Sequence, residues 1–318
     1  MKVPDDLWGE VRESTGGVYR VYLDDGSEVE AFLRGRLKRE ARAGDKVVIG
    51  DRVRIGSEHQ GDEIVRTIEE VAPRRTRIVR RSGPGRKPKA VAANLDRLVV
   101  VQSLRAPDPR LEVIDRFLVL AEVDEIPALL VLNKTDLEGA AEQADLLEAL
   151  YRDVGYSVLR TSPVTGEGIP ALAEALSTGV SALVGPSGAG KSTLLNAVEP
   201  GLELRTGIVS RVAGRGRHTT VSSRMIPLSG GGLVADTPGF GDVGLWGVGE
   251  AELERCFPDI ARYGEGCRFR GCRHLEEPGC AVKEAVEEGW IAPSRLASFS
   301  ALREEARADA RKGRRPGE

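Results

Sequence analysis

The chain has 318 residues, which is enough for two or three domains at about 150 residues each. Its 46 basic and 49 acidic residues give a formal charge of −3, which excludes a protein that is polybasic throughout. The sequence contains no apolar run of the roughly 18 residues that a membrane span needs, and residues 1–10 lack the apolar core of a signal peptide. We therefore expect a cytoplasmic protein with no membrane attachment.

Residues 1–72 have the pattern of a small β-barrel domain. From Gly17 to Ile68, short runs of alternating apolar residues are separated by turn signals. The dipeptide Asp25-Gly26 lies between two of these runs, where it predicts a β-hairpin. Several short strands at this spacing are typical of a barrel.

Residues 73–92 are predicted to form an exposed basic linker. Proline and glycine interrupt this segment, and it carries basic residues without any acidic one. Such a segment is suited to contact the phosphates of RNA. Its basic residues are Arg74, Arg75, Arg77, Arg80, Arg81, Arg86, Lys87 and Lys89.

Residues 93–246 alternate apolar runs of strand length with segments of helical periodicity. Continuous runs rich in valine and leucine, separated by helices, predict a parallel sheet that is covered on both faces. After Gly249 the strand pattern stops, and residues 247–318 are predicted to be helical and charged, with a basic C-terminal tail. The fold class is therefore multidomain, with a β-barrel, an α/β domain and a mainly helical domain.

A phosphate-binding loop is the strongest motif of the sequence. The pattern G-x-x-x-x-G-K-[ST] follows an apolar strand and opens a helix, as the motif requires. Glycines allow backbone N–H groups to surround phosphates, and we expect Lys191 to reach the β- and γ-phosphates while the hydroxyl of Ser192 binds Mg²⁺. The predicted loop consists of Gly185, Pro186, Ser187, Gly188, Ala189, Gly190, Lys191, Ser192 and Thr193.

A second motif predicts which base is bound. The tetrapeptide Asn133-Lys134-Thr135-Asp136 ends an apolar strand and matches N-K-x-D. A carboxylate at its last position can accept two hydrogen bonds from N1 and the exocyclic N2 of guanine, a donor pair that adenine lacks. We expect Thr161 and Ser162, which follow the next strand, to brace the base.

A third motif, Asp236-Thr237-Pro238-Gly239, matches the D-x-x-G pattern of GTPases. Asp236 is predicted to hold Mg²⁺ through water, and the N–H of Gly239 to sense the γ-phosphate. The Gly-rich stretch 214–220 is suited to a switch, in which Thr219 or Thr220 completes the Mg²⁺ shell. His218 either orients the attacking water, as the catalytic residue, or only orders the switch.

All four cysteines lie between residues 256 and 280, which is unlike the distribution in a secreted disulfide protein. Three thiols and one imidazole within a short span suit tetrahedral Zn²⁺ in a structural site. The predicted ligands are Cys267, Cys272, His274 and Cys280, whereas Cys256 falls outside this spacing and is predicted to be a core residue.

Two other functions compete with a GTPase. The phosphate loop also fits an ABC-type ATPase, and residues 228–232, LSGGG, imitate the signature of that class. Their position between two predicted strands favours a hairpin turn instead, and an ATPase leaves the N-K-x-D motif unexplained. The other candidate is a nucleotide-switched RNA-binding protein with little turnover, in which the barrel and the basic linker bind RNA.

The order of the motifs is unusual, because Asn133 precedes Lys191 whereas N-K-x-D normally follows the phosphate loop. In this order, and in the stretches GPSGAGKSTLLN, GRGRHTT and DTPGF, the chain resembles the circularly permuted GTPases, most closely the ribosome small subunit-dependent GTPase A (RsgA/YjeQ) family. The resemblance covers nearly the whole chain. It implies an OB-fold at residues 1–72, a permuted GTPase domain at 93–246 and a zinc-binding domain at 247–318.

The resemblance also implies a function. It points to a GTPase that hydrolyses GTP to GDP and phosphate, is stimulated by the small (30S) ribosomal subunit, binds 16S rRNA and acts late in 30S maturation. It supports the same four zinc ligands, with Mg²⁺ accompanying GTP, and we expect a monomer. Phe240 stands where Ras-like proteins have a water-orienting glutamine, so intrinsic hydrolysis is expected to be slow.

Overall fold

The N-terminal part of the chain folds into a closed β-barrel. The structure is a computed structural model, and it describes residues 7–37, 46–60, 63–80, 89–202, 204, 222–236 and 248–313. The barrel strands are β1 (Leu7–Thr15), β2 (Val18–Leu23), β3 (Glu28–Leu33), β4 (Arg52–Gln60) and β5 (Glu63–Val71). They pair in the order β1-β2-β3-β5-β4, and β4 returns to β1 to close the barrel.

Alternation along these strands explains the barrel core. Val11, Val21, Ile55 and Ile68 point inward and are at most 1% exposed, while charged residues alternate with them on the outside. The predicted hairpin is confirmed: β2 and β3 pair antiparallel, and Gly26 in their turn has a φ of +84°, which glycine adopts without strain. The predicted barrel is therefore confirmed.

Part of the predicted linker forms regular structure instead, at residues 77–80 and 89–92. Strands β6 (Arg77–Arg80) and β7 (Lys89–Ala93) form an antiparallel ribbon, and Ile78 and Ala92 are buried. Apolar residues placed between the basic ones give each strand one face for the core, so the ribbon packs onto the neighbouring domain. Residues 81–88 lie outside the described part of the chain, and the proposed boundaries at 72, 92 and 246 stay predictions.

The predicted parallel sheet is confirmed. Its five parallel strands have the spatial order β10-β9-β8-β11-β13, and β12 adds an antiparallel edge. The strands are β8 (Arg97–Ser103), β9 (Ala128–Asn133), β10 (Ser157–Thr161), β11 (Val180–Val184), β12 (Ser222–Pro227) and β13 (Leu233–Asp236). The helices between them are α1 (Leu111–Val123), α2 (Ala140–Val154), α3 (Ile169–Leu176) and α4 (Lys191–Val198), followed by a short 3₁₀ turn at Pro200–Leu202.

Successive residues of β8 show how the sheet is buried on both faces. Leu98 and Val100 join the core beneath α1 and α2, while Val99 and Val101 join the core beneath α3 and α4. All four side chains are at most 1% exposed. A strand buried on both faces has to be apolar at every position, which explains its continuous hydrophobic run.

The sheet continues from the α/β domain into the barrel. Strand β12 pairs antiparallel with β13 on one side, and its residues Ser222–Arg224 pair with Glu13–Thr15 of β1 on the other. The LSGGG stretch forms the turn between β12 and β13, with the N–H of Leu228 donating to the carbonyl of Gly232 at 2.9 Å. This is the predicted hairpin turn, and it is not the helix-opening signature of an ABC-type ATPase.

The C-terminal region is helical, as predicted, and it shares a core with the α/β domain. Its helices are α5 (Glu250–Arg255), α6 (Pro258–Gly264), α7 (Ala281–Glu287) and α8 (Pro293–Gly313). Phe257 and Phe299 belong to the same buried cluster as Phe117 and Leu118 of α1. The region therefore packs directly on the face of the sheet that α1 covers.

A buried ion-pair network joins α8 to the α/β domain. Arg295 is 1% exposed and donates both to Asp259, at 2.9 and 2.8 Å, and to Asp115 of α1, at 2.5 Å. The hydroxyl of Tyr151 donates to the same Asp115 oxygen at 2.8 Å. Burial raises the pKa of Asp115, and the charge of Arg295 opposes that shift. The network thus requires the guanidinium to stay in place.

Candidate nucleotide and metal sites

The three nucleotide motifs meet at one edge of the sheet. Asn133 ends β9, Thr161 ends β10, the glycine loop follows β11 and Asp236 ends β13. Because these four strands are parallel and adjacent or nearly so, their carboxyl ends lie at the same edge. In open α/β sheets this edge is where ligands bind.

The phosphate loop has a backbone that only glycines fit. Gly185 has a φ of +144°, and a Cβ there would lie 2.1 Å from the carbonyl oxygen of Val101. Gly190, the last residue before α4, has a φ of +97°, and its Cβ would lie 2.3 Å from Nδ2 of Asn133. The loop therefore packs closely against both β8 and the N-K-x-D motif.

Lys191 closes the loop onto itself. Its Nζ donates to the carbonyls of Gly185 at 2.7 Å and Pro186 at 3.0 Å. Burial lowers the pKa of Lys191. An anion at the N-terminus of α4 would reverse that effect, because it would supply the negative charge that the buried ammonium lacks.

Asn133 connects the base motif to the phosphate loop. Its Nδ2 donates to the carbonyl of Ala189 at 2.8 Å, and its Oδ1 accepts from the hydroxyl of Thr161 at 3.1 Å. Asn133 is 1% exposed. Lys134 lies beside it with a φ of +66°, and its Nζ donates to the carbonyl of Ala106 at 2.5 Å. The side chain of Asn133 therefore holds three loops together.

Ser162 and Glu167 organise the rest of the base motif. The hydroxyl of Ser162 donates to Oδ1 of Asp136 at 2.5 Å, and it also accepts the N–H of Val164 at 3.2 Å. Thr135 donates its hydroxyl to Glu167 at 2.5 Å. Glu167 is not among the residues predicted from the sequence, although Gly166-Glu167-Gly168 is a signal that this loop after β10 turns back toward the motif.

Asp236 extends the site on the other side of the phosphate loop. Strand β13 pairs in parallel with β11, with Ala182 opposite Ala235, so Asp236 follows this pairing near the end of β11, the strand that leads into the glycine loop. One of its oxygens lies 3.5 Å from Nε of Arg224, and both side chains are about half exposed. His218, Thr219, Thr220, Gly239 and Phe240 lie outside the described residues.

The four predicted zinc ligands come together in the C-terminal region. Their ligand atoms all lie within 4.8 Å of one another. Nδ1 of His274 is 3.3 Å from Sγ of Cys280 and 3.6 Å from Sγ of Cys267, and these two sulfurs are 3.9 Å apart. Cys267, Cys272, His274 and Cys280 thus form a compact potential metal site with three sulfurs and one nitrogen.

The chemistry of these donors fits Zn²⁺ in a closed structural site. Burial raises the pKa of Cys280 to about 12 and also raises that of Cys272, so without a cation both would stay protonated. A dication at the centre favours the thiolates, which are the forms that bind zinc. Cys256 is buried and lies outside this cluster, as predicted.

A basic cleft opens between the barrel and the α/β domain. It encloses about 560 Å³ and is lined by the basic residues Arg36, Lys46, Arg75 and Arg77, as well as by the acidic residues Glu70 and Asp124. Arg74 also borders it, but its guanidinium donates to the fully buried Asp51 at 2.7 and 2.9 Å. The expectation that Arg74 is an exposed phosphate contact is therefore wrong, because the barrel needs it to neutralise Asp51.

In the described part of the chain, none of the helices has the length and apolar character needed to traverse a lipid bilayer.

One family model and a close relative match most of this chain. The family model described as RsgA GTPase matches residues 71–246. A relative from Gemmatimonas aurantiaca, the small ribosomal subunit biogenesis GTPase RsgA, is 45% identical over 301 residues, covering 93% of this chain and 96% of the relative.

Two solved structures also match nearly the full length of this chain. The crystal structure of YjeQ from Thermotoga maritima is 32% identical with a TM-score of 0.75, covering 98% of this chain and 100% of the other. The structure of YloQ, described as a circularly permuted GTPase, is 29% identical with a TM-score of 0.70, covering 95% and 96%. With its motif order, its barrel and its metal cluster, this chain belongs to the RsgA GTPase family.

Proposed function

We propose that this protein hydrolyses GTP to GDP and phosphate, that the small ribosomal subunit stimulates it, and that it acts in late 30S maturation by binding 16S rRNA. The observation that carries the nucleotide part is the contact between Asn133 and Ala189, which joins the base motif to the phosphate loop. A single nucleotide spanning both loops accounts for that arrangement. Small ribosomal subunit biogenesis is what the names of the relatives state.

The selection of guanine rests on Asp136. Ser162 donates to one oxygen of this carboxylate, which holds it in place and leaves further lone pairs for a base. Guanine offers N1–H and N2–H on one edge, whereas adenine presents an acceptor at N1. Asn133, Lys134 and Thr135 position the loop, and Thr161 and Ser162 brace it from the neighbouring strand.

The phosphates are proposed to bind at residues 185–193. The N-terminus of α4 supplies backbone N–H groups, and Lys191 exchanges its two loop carbonyls for phosphate oxygens. Mg²⁺, when bound with GTP, neutralises phosphate charge. Ser192 offers its hydroxyl to the ion, and Asp236 lies beside the loop to hold a water of its shell.

For the switch residues the proposal rests on the sequence. Thr219 or Thr220 completes the Mg²⁺ shell, Gly239 senses the γ-phosphate, and His218 is the catalytic residue that orients water. Phe240 has no group that can do so. The partner therefore completes or orders the catalytic arrangement, which explains why the subunit stimulates turnover.

Contact with 16S rRNA is proposed at the basic cleft. Lys46, Arg75 and Arg77 line one groove, and cations of this kind can contact the phosphates of an RNA backbone. The low aromatic content of 4% favours recognition of backbone and shape over extensive base stacking. We further propose that the protein works as a monomer in the cytoplasm.

The nucleotide assignment is tested with the variant Asp136→Asn. An asparagine amide can donate to the O2 carbonyl of xanthine but cannot accept both guanine donors, so we expect GTP affinity to fall and XTP affinity to rise. Binding of GTP, XTP and ATP to the wild type and the variant is measured by titration calorimetry. ATP bound more tightly than GTP by the wild type would contradict the proposal.

The RNA assignment is tested separately with the charge reversal Arg77→Glu. We expect weaker binding to 30S subunits, with a shallower dependence of the affinity on salt and unchanged GTP affinity. Arg20→Glu, on the barrel surface and outside the cleft, is the control. If both variants bind the subunit like the wild type, the cleft is not the rRNA contact.

A further inference from the structure

The imidazole of His274 has one nitrogen committed to the metal cluster and one without a partner. Nδ1 faces the sulfurs of Cys280 and Cys267 at 3.3 and 3.6 Å. Nε2 is buried and makes no hydrogen bond in the described structure, and the side chain is 1% exposed. A histidine that binds a metal through one nitrogen normally donates the N–H of the other to a carboxylate, a carbonyl or a water.

Glu254 is placed to accept that N–H. Its Oε1 lies 3.7 Å from Nε2 of His274, and its side chain is 32% exposed, so the carboxylate enters the site from the protein surface. A movement of about 1 Å at the end of this flexible side chain closes a hydrogen bond. Glu254 lies in α5, the first described helix after Asp236, so the contact also links the metal loop to the chain that follows the D-x-x-G motif.

Gly264 leaves room for the carboxylate of Glu254 beside the imidazole of His274. A Cβ at this position would lie 2.6 Å from Oε1 of Glu254 and 3.9 Å from Cε1 of His274. Gly264 has no positive φ in the structure, so its backbone conformation does not require glycine. The missing side chain instead leaves the space that the carboxylate occupies between α6 and the imidazole.

Two other groups near the imidazole, an aromatic ring and a second carboxylate, are less suited to accept this N–H. The ring of Phe299 stands with its centroid 5.9 Å from that of His274, and Phe257 packs against Phe299 at 5.3 Å. Glu277, the nearby carboxylate of the ligand loop, accepts hydrogen bonds from Arg273 and from the N–H of Leu275. Glu254 is therefore the carboxylate that faces Nε2.

We propose that Glu254 is the positioning residue of the metal site. Its carboxylate accepts the Nε2–H of His274, which fixes the tautomer whose Nδ1 lone pair points at the three sulfurs and holds the ring in the orientation that a tetrahedral ion needs. The hydrogen bond also makes the imidazole more electron-rich and so a stronger ligand. Neither the family model nor the names of the relatives assigns this role.

The test compares zinc affinity in three variants of the full-length chain by competition with a chromogenic chelator. Glu254→Ala removes the acceptor, and we expect zinc binding to weaken about 10–100-fold. Glu254→Gln keeps an acceptor oxygen and is expected to recover most of the loss. Glu276→Ala, which removes an exposed carboxylate two residues from His274, is the control and should bind zinc like the wild type.

A spectroscopic measurement on the wild type needs no variant. The chain has only three histidines, so long-range ¹⁵N–¹H spectra of the zinc-loaded protein identify each ring. We expect a slowly exchanging proton on Nε2 of His274 that becomes fast-exchanging in Glu254→Ala and stays slow in Glu254→Gln. Unchanged zinc affinity in Glu254→Ala, equal losses in the Ala and Gln variants, or a fast-exchanging Nε2 proton in the wild type would each overturn the proposal.

Discussion

The base-binding loops and the metal cluster are held together in different ways. At the carboxyl edge of the sheet, Asn133 satisfies both ends of its amide within the protein, and Ser162 already holds Asp136. In the metal cluster, three thiols and Nδ1 of His274 stand close together, and burial raises the pKa of Cys272 and Cys280, which disfavours their thiolates. The first site is complete without its ligand, whereas the second needs an ion to be satisfied.

This difference suits the base-binding loops to ligand recognition and the metal cluster to structural support. When the loops of a base site are already ordered, little binding free energy is lost in ordering them, which favours selectivity between bases. A metal site whose donors are satisfied only by the ion makes the stability of its region depend on metal supply. The C-terminal helices nevertheless share the core beneath α1 with the α/β domain, and Arg295 pairs with Asp115 of α1 there. Perturbing one region at a time is therefore the way to test the contrast.

Metal removal should have the largest effect. Structural zinc contributes about 10–16 kcal/mol to the folding of small zinc-finger peptides, and part of such a stabilisation should be lost here. We expect chelation to abolish hydrogen-exchange protection in α6 and α7, while the affinity for GTP changes by less than about twofold because that site is held by protein groups. If chelation lowered GTP affinity together with the exchange protection of α6 and α7, the nucleotide site would also depend on the metal, which contradicts the prediction.

Loss of Arg295 should have the next largest effect. The variant Arg295→Met leaves Asp115 and Asp259 buried without their cation, which should lower the free energy of unfolding by about 3–5 kcal/mol. Arg307→Met on the same helix breaks a partly exposed pair with Glu250 and should cost less than about 1 kcal/mol. Urea denaturation of both variants measures the difference, and equal losses would show that Arg295 is not an anchor.

Asn133→Ala should weaken nucleotide binding. It leaves the buried carbonyl of Ala189 without its donor, and we expect GTP binding to lose about 1–3 kcal/mol. The matched control is Asn94→Ala, since Asn94 also makes two hydrogen bonds through its side chain but lies between the barrel and the ribbon. Fluorescent GTP titrations distinguish the two, and GTP affinity unchanged in Asn133→Ala would contradict the proposed link between base and phosphate loops.

The smallest effect is expected from Ser162→Ala. This change removes one hydrogen bond to Asp136 and two weak ones to the loop backbone, so GTP affinity should fall by about 0.5–1.5 kcal/mol. ATP binding, which we expect to be weak, should stay the same. The same titrations test this prediction. A larger loss of GTP affinity than in Asn133→Ala would show that the Ser162–Asp136 hydrogen bond contributes more to binding than the Asn133–Ala189 hydrogen bond.

Much of this architecture could be predicted from sequence because its signals are local. Asp25-Gly26 marks the hairpin between β2 and β3, and the phosphate loop is recognised by the spacing of its own glycines and lysine along residues 185–191. The apolar run of β8 indicates burial on both faces. In each case neighbouring residues carry the whole signal, so a single sequence suffices.

The features that escaped prediction depend on partners far along the chain. Arg295 and Asp115 are 180 residues apart, and an arginine in a charged C-terminal helix is usually solvated. Arg74 looked exposed because its partner, Asp51, lies in another domain. The basic residues of β6 and β7 favoured the prediction of an exposed linker, because only a few apolar positions determine that the ribbon is buried. Tertiary pairing, rather than local propensity, determines each of these.

This GTPase is proposed to respond to the small ribosomal subunit. The most direct test is the rate of GTP hydrolysis by the purified protein, alone and with 30S subunits, with Lys191→Ala as the inactive control and 50S subunits as the control for specificity. We predict slow turnover that rises at least about tenfold with 30S subunits only and is absent in the variant. A rate that 30S subunits leave unchanged would contradict the account.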